Sequence, residues 1–101
     1  MSGSEFFLRA EGVRVLRICY IVPGMREVER EVRVSPYASL RDVVREFSPP
    51  EFEMVMREGA YSITVRETGK SAENLRVGDV PEGATIDVSA HISGGELHDS
   101  T

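Results

Sequence analysis

The chain has 101 residues and a formal net charge of −5, with 41% hydrophobic and 29% charged residues. This composition is typical of one globular domain, and no apolar run approaches the ~20 residues that would span a bilayer. The acidic balance argues against nucleic acid, and one cysteine with two histidines favours neither a disulfide framework nor a zinc cluster. We therefore expect a monomeric, cytoplasmic domain that binds neither nucleic acid nor membrane.

The basic residues are unevenly divided, because eleven of the 12 are arginines and Lys70 is the only lysine. A GC-rich or thermophilic genome produces this bias. A second explanation is that the protein works close to chemistry that consumes lysine amines and therefore carries few lysines. Both interpretations stay open.

The amino-terminal third predicts a hairpin after an unpatterned start. Residues 1–12 are expected to be a flexible segment outside the fold, and Gly3-Ser4-Glu5-Phe6 is typical of a cloning junction. From Val13 to Val22 the residues favour a strand that is apolar on both faces, which predicts a central strand covered on both sides. Pro23–Glu27 is a normal hairpin connection, and Val28–Val34 alternates as a half-buried strand.

Two helices are predicted next. Ser39 is a candidate N-cap for a helix whose buried stripe recurs at helical spacing. The stripe consists of Leu40, Val43, Val44 and Phe47. Ser48-Pro49-Pro50-Glu51 has the pattern of a capping box with proline in the first turn, and it predicts a second short helix ending at Gly59.

The remaining chain predicts two more strands. The residues from Tyr61 to Arg66 alternate as a strand, and Gly69-Lys70 is a turn. Leu75 and Val77 belong to a short connecting segment. Thr85–Ile92 is the last strand, with Ile86, Val88, Ala90 and Ile92 facing inward. We therefore predict an α+β fold in which a mixed sheet of four or five strands packs on one main helix, and the last strand lies parallel to the first in its centre.

Conventional catalytic residues are poorly supported, so we do not expect an enzyme. Cys19 lies in the middle of a predicted strand and is typical of a small core residue. His91 faces outward and is typical of a solvated surface residue, and His98 lies in a polar tail, so neither is expected to act as a general base. No glycine-rich loop joins a strand to a helix in the way that a phosphate-binding loop does.

The most informative motif is Gly94-Gly95, which follows the last apolar strand. With this motif, the chain between Val13 and Gly95 resembles the ubiquitin-like β-grasp superfamily, which includes prokaryotic modifiers and the sulfur carriers of molybdopterin and thiamine synthesis. Two gapless blocks carry the resemblance. They are Val32, Val34, Pro36, Leu40, Val43 and Phe47, and then Leu75, Val80, Ile86, Val88, Gly94 and Gly95.

The resemblance implies a β-grasp fold and a reactive carboxyl-terminal glycine at Gly95. In this superfamily a partner adenylyltransferase, similar to ubiquitin-activating enzymes, uses ATP and magnesium to activate that glycine. The domain itself holds no cofactor. The activated glycine passes to a thiol, a sulfur donor or a lysine amine of a target protein, and glycines without Cβ atoms fit the narrow channel of the partner enzyme.

This chain departs from the superfamily pattern in three ways, of which the first is a tail and the other two are changes of the partner surface. Residues 96–101 follow Gly95, so the resemblance implies a domain of residues 13–95 and a tail that a JAB/JAMM-type metalloprotease removes between Gly95 and Glu96. The partner surface also differs, because Arg66 and Ser89 stand where ubiquitin is aliphatic and His91 stands where it has an arginine.

Three hypotheses follow from the residues and the resemblance. The first is a prokaryotic ubiquitin-like modifier made as a precursor, for which Lys70 is the possible acceptor of self-conjugation. The second is a sulfur carrier with a thiocarboxylate at Gly95. The third is a non-covalent interaction module, in which Gly94-Gly95 is only a flexible end.

Overall fold

The computed structural model describes residues 12–91 of the chain. In chain order its elements are β1 (Arg14–Ile21), β2 (Val28–Val34), α1 (Leu40–Glu46), a 3₁₀ turn (Pro50–Phe52), α2 (Glu53–Glu58), β3 (Tyr61–Val65), a 3₁₀ turn (Val77–Asp79) and β4 (Thr85–Ala90). The expectations for residues 1–11, for Ile92 and for the Gly94-Gly95-Glu96 cleavage motif lie outside the described residues.

The four strands form one mixed sheet in the order β2-β1-β4-β3. β1 pairs antiparallel with β2 as the predicted hairpin, and it pairs parallel with β4 in a register that sets Ile18 opposite Ile86. β4 also pairs antiparallel with β3. The prediction of an α+β fold with the last strand central and parallel to the first is therefore confirmed, with four strands.

The core lies between α1 and one face of this sheet, which we call the inner face. Ile18, Leu40, Val44 and Ile86 are fully buried there, and Phe52 contributes an edge-on ring 5.1 Å from that of Tyr20. Burying a side chain of this size contributes about 1.5–3 kcal/mol, so these contacts are the main reason that the helix stays on the sheet.

The prediction that the first strand is covered on both faces is wrong for most of its length. On the outer face, opposite α1, Val13 is 42% exposed, and Val15 and Ile21 are only half-buried. Cys19 is buried on that face. The reason is that the helices of residues 12–91 pack on the inner face, while on the outer face polar side chains such as Glu27, which contacts Cys19, give only local cover.

The helix boundaries follow the predicted signals with one exception. Ser39 caps α1, because its Oγ accepts a hydrogen bond from the Asp42 N–H at 3.4 Å. Gly59 ends α2 with φ 69°, the left-handed conformation that glycine adopts readily. The predicted capping role of Ser48 is wrong, since its hydroxyl donates instead to the Arg45 carbonyl at 3.1 Å, and the next turn starts without a side-chain cap.

The last strand ends at Ala90 among the described residues, and its first residue differs from expectation. The alternation along this strand predicts that Thr85, next to the inward-facing Ile86, faces solvent, but it is only 6% exposed. The Glu67 carboxylate lies against it and accepts a hydrogen bond from the Thr85 N–H at 3.2 Å. Within residues 12–91, no helix has the length and apolar character that crossing a membrane requires.

Candidate functional site at the end of β4

The carboxyl end of β4 is held by hydrogen bonds on the β3 side. Ala90 pairs with Tyr61, and the His91 N–H donates to the Ala60 carbonyl at 2.8 Å. Pairing therefore continues one residue beyond the strand. Since Gly94 is three residues further along the chain, the glycine pair follows almost directly from an anchored part of the sheet.

The His91 side chain takes part in this anchoring. Its Nε2 lies 3.1 Å from the Ser62 Oγ on β3, and the tautomer of the ring decides which of the two atoms donates the hydrogen bond. His91 is exposed and Ser62 is half-buried. The histidine that was predicted to mark a partner surface is therefore oriented by the neighbouring strand.

The outer face also carries Arg66 and Ser89, the other two residues of the predicted partner surface. The Arg66 guanidinium forms a two-pronged ion pair with the Asp87 carboxylate, with Nη2 2.7 Å from Oδ1 and Nε 3.1 Å from Oδ2. Ser89 lies opposite Ser62 in the strand register. The tertiary structure thus brings Arg66, Ser89 and His91 onto one polar face.

Cys19 lies beneath this polar layer and is 2% exposed. Its thiol donates a hydrogen bond to Glu27 Oε1 at 3.4 Å. Burial raises the pKa of the Cys19 thiol, the Glu27 carboxylate raises it further, and Arg66 acts weakly in the opposite direction. This environment favours the neutral thiol and is typical of a structural cysteine.

Lys70 lies in the turn between β3 and the segment that covers its free edge. Gly69 has φ 74°, and the Lys70 carbonyl accepts a hydrogen bond from the Val65 N–H at 2.9 Å. The backbone is therefore fixed while the residue is exposed, as its place directly after a turn glycine predicts. Its amine is accessible to a reactive partner.

Asp87 and Ser62 are contributors to this face that the sequence analysis did not single out. Both occupy outward positions in the alternating pattern of their strands, and this alternation was the only sequence feature that pointed to them. Their partners, Arg66 and His91, are 21 and 29 residues away in the chain, so the pairs become evident only from the strand register. Among residues 12–91, no group of three or more His, Cys, Asp or Glu side chains is placed to hold a metal ion.

Comparisons of the chain with known protein families, with curated proteins and with solved structures found no significant match. The fold and the site define a small α+β domain with a four-stranded mixed sheet, whose central strand β4 leads toward a Gly-Gly pair. The functional argument therefore depends on this chain's own residues.

Proposed function

We propose that the chain is the precursor of a ubiquitin-like protein modifier, processed after Gly95 and then joined through Gly95 to lysines of target proteins. One observation carries the proposal. β4 is hydrogen-bonded to a neighbour on each side, it is anchored as far as His91, and Gly94-Gly95 follows within four residues. A β-grasp assignment supports it, because that fold places a central last strand parallel to the first, with a helix across one face.

The proposed chemistry assigns one reacting group to this chain, the carboxyl carbon of Gly95. A JAB/JAMM-type protease hydrolyses the Gly95–Glu96 peptide bond and frees the Gly95 carboxylate. An adenylyltransferase joins this carboxylate to AMP from ATP, with magnesium, and pyrophosphate leaves. A target lysine amine then attacks the acyl carbon, directly or after transfer to an enzyme thiol, and an isopeptide bond forms as the AMP or thiol departs.

The scarcity of lysine supports the same proposal. A protein whose activated carboxyl group reacts with amines is itself a competing substrate at every exposed lysine. Arginine keeps the positive charge, and its guanidinium stays protonated and does not act as an acyl acceptor. With eleven arginines and the single exposed Lys70, the chain limits this competition.

The test is the mass of the protein isolated from its native cells. We expect a species that ends at Gly95, together with larger conjugates. Trypsin cuts after lysine and arginine, and none occurs between Arg76 and Gly95. A target lysine should therefore carry residues 77–95 as a branched remnant, which mass spectrometry identifies.

The other two hypotheses give different masses. A sulfur carrier would end at Gly95 with the mass increase of one oxygen replaced by sulfur, and without branched peptides. An interaction module would be recovered only with residues 96–101 attached. Either result would contradict the modifier proposal.

Variants test the cleavage site directly. Gly95→Val should block processing because the added side chain obstructs a narrow channel, and it should leave the fold intact because Gly95 lies beyond the core elements. Ser100→Val adds a similar side chain in the tail away from the scissile bond, and it should be processed normally. A chain that ends at Gly95 should be conjugated without the protease. Conjugation of the Gly95→Val variant at the normal level would contradict the proposal.

A further inference from the structure

A groove of about 440 Å³ lies between α1, the end of α2 and the start of β3. Arg41 and Arg45 line it from α1, Arg57 lines it from α2, and Met56 and Tyr61 provide half-buried apolar surface. The groove therefore combines guanidinium groups with an apolar lining.

Two of these arginines have no acidic partner among residues 12–91. Arg41 and Arg45 are one helical turn apart on an exposed face of α1, and no carboxylate of those residues forms an ion pair with either. Arg57, by contrast, is paired with Glu53 at 3.1 Å. In a chain of net charge −5, two adjacent uncompensated arginines attract a carboxylate-bearing segment.

Two acidic residues of the lining do not neutralise this pair. Glu73 Oε2 accepts a hydrogen bond from the Ile63 N–H, with 3.4 Å between oxygen and nitrogen, and so stabilises the edge of β3. Glu58 stands on α2 in an exposed position, on the same helix as Arg57. The positive side of the groove is thus the α1 side.

The groove opens close to the carboxyl end of β4. Gly59 lines it, and the next residue, Ala60, accepts the hydrogen bond from the His91 N–H. Glu96 and Asp99 follow His91 by five and eight residues, which span at most about 17 and 27 Å when extended. The acidic segment Glu96–Thr101 contains neither lysine nor arginine, and it begins within reach of the groove.

We propose that this groove binds the Glu96–Thr101 segment of the same chain, with the side-chain carboxylates of Glu96 and Asp99 against Arg41 and Arg45. The two oxygens of a carboxylate can accept two parallel hydrogen bonds from one planar guanidinium group. The contact is therefore geometrically specific as well as attractive. The contact keeps the Gly95–Glu96 bond close to the domain while the tail is attached. It does not depend on the proposed function, because it is a property of the whole chain before any processing.

The experiment compares NMR spectra of the full chain with those of a chain that ends at Gly95. At a salt concentration of about 0.01 M we expect differences at the side-chain N–H groups of Arg41 and Arg45, and at the backbone of Gly59 and Tyr61. These differences should fall several-fold by about 1 M salt, where the Debye length is about 3 Å. The double variant Arg41→Gln/Arg45→Gln should lose them at Gly59 and Tyr61.

A matched control separates this site from a general effect of charge. Arg26 and Arg33 are also exposed and have no ion pair among residues 12–91, but they do not line the groove. Arg26→Gln/Arg33→Gln should therefore keep the differences between the long and short chains. Spectra that differ only next to the new terminus, or that still differ at Gly59 and Tyr61 in the Arg41/Arg45 variant, would overturn the proposal. So would differences that grow with protein concentration, because they would indicate the tail of a second copy.

Discussion

The Tyr20 hydroxyl on β1 donates a 2.7 Å hydrogen bond to the carbonyl oxygen of Val44 in the last turn of α1. The carbonyls of a last helical turn run out of helical partners, so a buried one needs a donor from elsewhere. Tyr20 supplies it from the fully buried centre of the sheet, while its ring packs on Phe52. One side chain thus ties the end of α1 to the strand beneath it.

We predict that Tyr20→Phe destabilises the fold by about 1–3 kcal/mol, because it leaves the buried Val44 carbonyl without this donor. Chemical denaturation of both proteins measures the difference in the free energy of unfolding. Tyr61→Phe is the matched control, since Tyr61 is only half-buried and its hydroxyl has no hydrogen bond among residues 12–91. Equal effects of the two substitutions would contradict the prediction.

Cys19 should make the stability of the fold decrease at alkaline pH. Its pKa in the folded state is raised above the ordinary value of 9.0, first by burial and then by Glu27. As the pH rises through that ordinary value, the unfolded chain loses the thiol proton while the folded chain keeps it. The unfolded state then binds fewer protons, so the free energy of unfolding falls with rising pH.

Cys19→Ala tests this because alanine has no proton to lose. The stability advantage of the original chain over the variant should shrink between pH 8 and pH 10, as measured by urea denaturation at each pH. The comparison removes every contribution to the pH dependence that the two proteins share. Stability curves that stay parallel over this range would show that the Cys19 pKa is not raised.

Gly59 should be intolerant of side chains for a conformational reason and not a steric one. Its φ of 69° lies in the left-handed region, and a Cβ added there would meet no atom within 4 Å. Gly59→Ala should therefore cost on the order of 1–2 kcal/mol in the free energy of unfolding, and Gly59→Asn less, because asparagine tolerates this conformation better. Glu58→Ala, an exposed neighbouring change, should stay within about 0.5 kcal/mol. A Gly59→Ala loss no larger than that of Glu58→Ala would contradict this explanation.

If the protein forms chains of itself as the proposed function allows, Lys70 is the side chain that accepts the isopeptide bond. Lys70→Arg keeps the charge and removes the acceptor amine, so self-conjugates should disappear while conjugates with other proteins persist. The measurement is an immunoblot of both products, with the α-amino group blocked so that it does not act as an acceptor. Self-conjugates at the original level in this variant would contradict the prediction.

Most of the secondary structure was predictable because its signals are local. The alternation from Val28 to Val34, the helical spacing of the residues after Ser39 and the glycine at position 59 each depend on a few neighbouring residues. The central place of β4 was also predicted, from the order of a hairpin, a crossover helix and two later strands. The prediction for Ser48 was wrong because a serine at a helix junction has possible hydrogen-bond partners on both sides. Its hydroxyl donates to a carbonyl of the preceding helix.

Local sequence patterns were sufficient to predict the order of the strands and helices, the buried faces of α1 and β4, and the position of Gly94-Gly95 after the last strand. The folded structure was needed to show the pairing of Arg66 with Asp87, the polar cover over Cys19 and the groove beside Arg41 and Arg45. The two groups of features differ in how far apart along the chain the interacting residues lie. Periodicity and capping depend on residues within a few positions of each other, whereas these contacts join residues brought together by strand register and by the burial of a shared core.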